Sequence, residues 1–206
     1  MEHVVVAITG ASGSIYGLRL VEELLKQPLR VTLLISTAGR QVLAHEVGLQ
    51  LAAEPHERLL QLRTYFEAGE ELQHSAEDDF FAPVASGSSA PDAMVVAPCS
   101  MGTAARIAAG LSQALIERVA DVALKERRPL LLVPRETPLS LIHLENLTRL
   151  TRAGAQVLPA MPAFYQQPQS VAEMVDFVVG KVLDALQLPH ELFKRWGETP
   201  ADESES

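Results

Sequence analysis

Residues 3–9 read His-Val-Val-Val-Ala-Ile-Thr, an unbroken apolar, largely β-branched run that Gly10 stops. A strand with one wet face alternates apolar with polar side chains, so a continuous run asks for apolar cover on both faces, the condition of a strand inside a parallel sheet. The turn Gly10-Ala11-Ser12-Gly13-Ser14 follows, and Ile15, Leu18, Val21 and Leu25 then recur at helical spacing through residue 27. Strand, glycine turn and helix in that order open a βαβ unit and exclude an all-α or all-β chain.

The pattern repeats. Residues 30–35 form a second apolar run, with Ser36 and Thr37 as caps for a helix carrying Val42, Leu43 and Val47. Residues 93–97 give a third strand, closed by Pro98-Cys99-Ser100-Met101-Gly102-Thr103 before an alanine-rich helix from Ala104. Residues 115–126 read as a helix, 129–133 as a fourth strand, 139–152 as a helix stopped by Gly154, 156–159 as a fifth strand and 170–186 as an amphipathic helix. Between about 54 and 90 the pattern weakens into irregular surface structure with room for one edge strand. Five βα units predict a doubly wound, Rossmann-like parallel sheet with helices on both faces. The 206 residues suit one domain over 1–190, followed by an extension over 191–206 that ends as an acidic, disordered tail.

Charge and cysteine usage exclude several functions. The formal net charge is −9, and with Glu198, Asp202, Glu203 and Glu205 in the tail the body keeps about −5, against the basic face that nucleic-acid binding needs. The single cysteine, Cys99, rules out an intramolecular disulfide and a cysteine zinc cage, and the six histidines show no metal-ligand spacing. The apolar run at the start is too short for a membrane span and lacks a basic region before it. A cytoplasmic protein without a transmembrane segment is expected.

Ligands of such sheets bind at the carboxyl ends of the strands, where strand order reverses. The first turn lacks the second glycine of the dinucleotide fingerprint, and the second strand ends in Ser36 rather than a ribose-binding acid. What the turns offer instead is hydroxyls and helix N-termini, from Ser12, Ser14, Ser36, Thr37, Ser100 and Thr103. That inventory suits a phosphomonoester such as that of FMN. Singly, each of these residues reads as an N-cap. Arg135-Glu136, between Pro134 and Pro138, is directed at the same edge. Taken alone, Tyr165 reads as packing, and Lys181, Arg106, Arg118 and Lys125 as solvated helix charges. Cys99 reads as a small hydrophobe, with no histidine close in sequence to activate it.

Taken together, four blocks resemble the UbiX family of flavin prenyltransferases: Thr9-Gly10-Ala11-Ser12-Gly13 with Tyr16-Gly17; residues 92–103; Val133-Pro134-Arg135-Glu136-Thr137-Pro138-Leu139-Ser140; and residues 159–165. The likeness spans residues 3–188. It implies an FMN-binding Rossmann-like fold in a large homo-oligomer, a dodecamer. It also implies metal-independent transfer of a dimethylallyl group from dimethylallyl monophosphate to N5 and C6 of reduced FMN. The product, prenylated FMN, would serve a UbiD-type decarboxylase in ubiquinone synthesis or aromatic-acid decarboxylation. On this resemblance Gly10, Ala11, Ser12, Ser36, Ser100, Met101, Gly102, Thr103 and Arg135 contact FMN. Tyr165 and Lys181 contact the donor phosphate, with Arg118 and Lys125 adding to it across a subunit boundary, and Glu136 with Ser12 forms the catalytic, proton-handling pair. Lys181 stands where some relatives carry arginine, which keeps the charge and loses the planar fork.

Two alternatives come from neighbouring classes. FMN-dependent cysteine decarboxylases share the fold, but look to an early catalytic histidine and to an asparagine motif after the third strand, where this chain has Pro98-Cys99-Ser100-Met101-Gly102-Thr103. A non-enzymatic FMN-binding interaction module would not need Arg135-Glu136, Tyr165 and Lys181 together.

Overall fold

The computed structural model describes residues 1–195; Trp196 and the acidic stretch expected to be disordered lie outside the described residues. Two compact units are present, Met1–Ala160 and a second that begins at Met161. The first holds six strands among its described residues: β1 (His3–Ile8), β2 (Arg30–Ile35), β3 (Leu72–His74), β4 (Ala93–Cys99), β5 (Leu130–Pro134) and β6 (Gln156–Val157). Its helices are α1 (Ser14–Leu25), α2 (Thr37–Val47), α3 (Pro55–Phe66), α4 (Met101–Ala108), α5 (Leu115–Lys125) and α6 (Leu141–Arg152). The second unit is built on α7 (Val171–Leu186).

All strand pairs are parallel and the order is β3-β2-β1-β4-β5-β6. Successive strands therefore run outward in one direction from β1 and in the other from β4, so the switch point lies between β1 and β4. Val4, Val5, Val6, Ala7 and Ile8 are buried without exception, which is why the sequence shows a run and no alternation. Val5, Ala7, Met94, Val96, Leu130 and Leu132 share one face, in a core with Ala104 and Ile107 of α4 and Leu115, Val119 and Ala123 of α5. On the other face the Ile8 side chain meets α1 at Gly17. Helices thus cover both faces of a doubly wound sheet. Burying each large aliphatic side chain contributes roughly 1.5–3 kcal/mol, so the sheet interior outweighs any single cap or ion pair.

The structure departs from the sequence reading chiefly between residues 54 and 90. There α3 spans twelve residues, entered through Pro55 in its first turn and capped by the Glu54 side chain on the Glu57 N–H. It buries only Arg58 and Leu62, too little apolar face to register as a period. The three-residue β3 is the edge strand for which the sequence left room. Residues 83–85 and 87–89 are short 3₁₀ turns. β4 runs on through Pro98 and Cys99, α4 starts at Met101, and β6 stops at Val157.

Candidate active site

The site edge is built from the turns that leave β1, β2, β4 and β5. Thr9, 1% exposed, latches two of them: its hydroxyl donates to the Pro98 carbonyl at 2.7 Å and accepts from the Ser100 N–H at 2.8 Å. The loops flanking the switch point are thereby held side by side. Gly10, Ala11 and Ser12 form the β1–α1 turn, which closes at Gly13 with φ 100°, a left-handed conformation that favours glycine.

Helix α1 has no side-chain cap from its own N-cap residue. Glu46, near the end of α2, takes that place. Its carboxylate accepts from the Gly13 N–H at 3.0 and 3.1 Å, the Ser14 N–H at 3.0 Å, the Ser14 hydroxyl at 2.8 Å and the Ser12 side chain. Burial pushes the Glu46 carboxyl up, but these bonds outweigh it and hold it below the usual carboxylate range. A shallow recess of about 590 Å³ beside it is lined by Ser12, Gln41, Val42, His45 and Glu46.

At the head of α2, Ser36 accepts from the Gly39 N–H at 3.0 Å, while Glu77 accepts from both the N–H and the hydroxyl of Thr37 at 2.9 Å. At α4, Ser100 Oγ accepts from the Thr103 N–H at 3.3 Å and lies 3.0 Å from Thr103 Oγ1, and Arg106 Nη2 donates to Thr103 Oγ1 at 3.2 Å. The N–H groups of Met101 and Gly102 fall in the first turn, where an α-helix supplies no partner of its own. Carboxylate oxygens already seated on α1 and α2 show that these turns present convergent N–H and O–H donors, the donor set a phosphomonoester requires.

Arg135 follows β5, and its Nε donates to the Ser12 carbonyl at 3.1 Å, so the structure brings Arg135 to the β1–α1 turn. Burial raises the Tyr16 phenol, and the Arg135 charge opposes that rise. Glu136 is exposed, with its carboxylate on the Thr137 N–H at 3.0 Å. Arg118 and Lys125, two turns apart on α5, both turn to the segment 85–89. Arg118 Nε donates to the Ala85 carbonyl at 3.0 Å and Nη1 meets Asp121 at 3.3 Å. The Lys125 ammonium pairs with Glu126 and lies 2.6 Å from where a Cβ on Gly87 would stand. Ser86 and Ser88 hydroxyls in the same segment are 2.9 Å apart. Cys99 is fully buried, and burial pushes its thiol up to about 12, leaving it protonated.

In the second unit, Tyr165 meets Phe177 edge-on at 6.0 Å and lines a cavity of about 440 Å³ with Glu173, Phe177, Phe193 and Arg195. Lys181, on α7, places its Nζ 3.2 Å from Asp184 Oδ2.

A family model described as Flavoprotein matches residues 1–183. The flavin prenyltransferase UbiX of Pseudomonas aeruginosa is 50% identical over 198 residues, covering 96% of this chain and 95% of that protein. The chain belongs to the UbiX family of flavin prenyltransferases. Among solved structures, AnUbiX in complex with FMN and dimethylallyl pyrophosphate superposes with a TM-score of 0.86 at 38% identity, covering 97% of this chain and 99% of that one. A dodecameric FMN-dependent UbiX-like decarboxylase from Escherichia coli O157:H7 gives a TM-score of 0.85 at 38% identity, covering 95% and 100%.

Sequence reasoning singled out neither Glu46 and Glu77, which bond the turns at Ser14 and Thr37, nor the hydroxyls of Ser86 and Ser88 in the segment that Arg118 and Lys125 face. Glu46 is 32 residues from Ser14 and Glu77 is 40 from Thr37. Neither contact has a local periodicity to betray it. Ser86 and Ser88 lay in a stretch read only as irregular surface; the signal available there was Arg118 and Lys125 seven apart on one helix face.

Proposed function

We propose that this chain transfers the dimethylallyl group of dimethylallyl monophosphate to reduced FMN, forming bonds at flavin N5 and C6 as the allylic C–O bond breaks and releasing inorganic phosphate, which takes up the proton the flavin gives up. FMN supplies the electron-rich ring that accepts the allyl cation, so the protein's tasks are to hold two phosphates, shield the cation and move protons. Gly10, Ala11, Ser12, Ser36, Ser100, Met101, Gly102, Thr103 and Arg135 hold the flavin. Tyr165 and Lys181 hold the donor phosphate, with Arg118 and Lys125 adding to it across a subunit boundary, and these cations stabilise the charge that grows on it as the C–O bond breaks. Glu136 and Ser12 handle protons in ring closure, and Glu46, bonded to the Ser12 side chain, extends that relay.

The observation that carries this reading is the turn at Ser12. One hydroxyl there is bonded to a carboxylate kept ionised, while the backbone carbonyl of the same residue takes a guanidinium. Ser12 thus joins a cation, Arg135, to a carboxylate, Glu46, which supports a role beyond passive FMN binding. Residues 1–190 then act as one FMN-binding domain, followed by the extension 191–206. The protein works in the cytoplasm as a homo-oligomer, a dodecamer, and hands prenylated FMN to a UbiD-type decarboxylase. Among the described residues no helix is long and apolar enough to cross a membrane. Anaerobic incubation of the purified protein with reduced FMN and dimethylallyl monophosphate, followed by mass analysis of the flavin, tests the reading. A gain of one five-carbon unit supports it, and an unchanged flavin mass overturns it.

A further inference from the structure

We propose that Asp184 is a positioning residue that presents Lys181 and Arg195 as a pair of cations to the donor's phosphate. The inference rests on the assignment of Lys181 to that phosphate made above. Asp184 Oδ2 accepts from Lys181 Nζ at 3.2 Å, and Oδ1 accepts from Arg195 Nη2 at 3.0 Å and from His190 Nε2 at 3.2 Å. An ion pair between residues three apart on an exposed helix face is ordinarily worth little. Here the carboxylate is anchored from behind.

His190 is that anchor. Its side chain is 2% exposed, and its ring packs on Phe193 at 5.0 Å, which continues to Phe177 at 5.1 Å and so to Tyr165. His190 Nδ1 accepts from the Leu192 N–H at 3.3 Å, which leaves Nε2 to carry the proton given to Asp184. Both cations lie on the outer side, Lys181 with 50% and Arg195 with 57% of the side chain exposed against 22% for Asp184. Lys181 and Arg195 share one carboxylate and are open to solvent, and Arg195 lines the same cavity as Tyr165.

The arrangement answers the substitution at position 181. Lysine presents a point charge without a planar fork, and Arg195 brings a guanidinium to the same carboxylate. Lysine and arginine carry the largest rotamer entropies of any side chains, so holding both in place before the donor arrives removes a cost that binding would otherwise meet. Asp184 engages one donor of each cation, and an ammonium has three and a guanidinium five, so ordering by Asp184 is compatible with phosphate contact.

The test is steady-state kinetics of Asp184→Asn in the full-length protein with dimethylallyl monophosphate and reduced FMN. The amide oxygen can still accept from His190, so the fold is kept. The donor KM is expected to rise about tenfold, with kcat and FMN affinity unchanged, and Asp184→Glu is expected to recover part of the loss. Arg195→Met, which leaves the His190 anchor untouched, should raise the donor KM by a similar factor. In a Lys181→Met/Arg195→Met background, Asp184→Asn should have no further effect, because there is nothing left to position. An unchanged or lowered donor KM in Asp184→Asn, a matching loss of FMN affinity, or a full effect in the double background overturns the proposal. Lys181→Met separates the two assignments. If it leaves the donor KM unchanged, the donor-phosphate reading falls and the positioning role with it; if it raises KM while Asp184→Asn does not, only the positioning role falls.

Discussion

Glu46 accepts both the backbone N–H and the hydroxyl of Ser14 on one carboxylate oxygen, at 3.0 and 2.8 Å. A residue near the end of α2 therefore does for α1 what an N-cap side chain normally does, and it places an ionised carboxylate against the turn that carries Ser12. Negative charge at a helix N-terminus is stabilising, and hydrogen bonds to a charged acceptor are stronger than neutral ones.

Glu46→Gln keeps the shape and removes the charge. The variant should bind FMN and lose turnover by about 10²-fold or more, the usual scale for a lost proton-transfer group. Glu46→Ala should in addition lower stability by about 1–2 kcal/mol through the lost cap. Stopped-flow assay and urea denaturation measure the two effects; parent turnover in Glu46→Gln would reduce Glu46 to a cap.

The donor-phosphate residues give a separate expectation. Lys181→Ala should weaken donor affinity roughly 10- to 150-fold, the equivalent of one charge-assisted contact of about 1.5–3 kcal/mol. Tyr165→Phe should act in the same direction and more weakly. Both should leave FMN affinity intact, as flavin fluorescence titration would show. Joint loss of flavin and donor binding would contradict separate phosphate positions.

The contrast between what the sequence reveals and what it hides is physical. The runs at 3–9, 30–35, 93–97 and 129–133 announce their strands because parallel strands buried on both faces select an apolar residue at nearly every position. The turns at Ser12, Ser36 and Ser100 are legible because capping demands small hydroxyls at fixed offsets. Helix α3 escapes notice because its buried face is little more than Leu62 and the stem of Arg58, although Glu54-Pro55 carries a start signal. Glu46 and Asp184 are hidden for another reason. The partners of Glu46 come from packing of α2 on α1, and Asp184 meets His190 and Arg195 where the chain returns past α7, which no local spacing encodes; only its pair with Lys181, three residues away, follows helical spacing.

His74 supplies a pH dependence. Its Nδ1 donates to the Leu33 carbonyl at 2.7 Å and its Nε2 accepts from Arg58 Nη1 at 3.1 Å, so a proton on Nε2 would face a guanidinium. Burial lowers its pKa to about 4, helped by the Arg58 and Arg40 charges and opposed by the bond to Leu33, against 6.5 for the free side chain. Above pH 6.5 both folded and unfolded chains hold the neutral ring and there is no penalty. As pH falls from 6.5 to 4 the unfolded chain takes up the proton first, so stability declines by up to about 3 kcal/mol and levels off below pH 4. His74→Gln keeps an acceptor for Arg58 and cannot titrate. Urea midpoints of the variant should flatten across that window relative to the parent, and equal slopes would assign the acid sensitivity to other groups.

Glu136 and Arg135 are adjacent and should nonetheless separate. Arg135 reaches back to the Ser12 carbonyl and belongs to the turn that holds the flavin, whereas Glu136 is exposed, its carboxylate accepting from the Thr137 N–H of the local backbone. Arg135→Ala should therefore weaken FMN binding by about tenfold or more, as loss of a charge-assisted contact does. Glu136→Gln should bind FMN normally and slow ring closure by about 10²- to 10⁴-fold, because the amide preserves hydrogen bonding and cannot exchange a proton. Mass analysis of a quenched reaction would then find flavin that has gained the five-carbon unit, while its absorbance lacks the change that closure of the fourth ring produces. If Glu136→Gln forms the finished product at the parent rate, Glu136 is a loop charge, and proton handling rests with Ser12 and Glu46 alone.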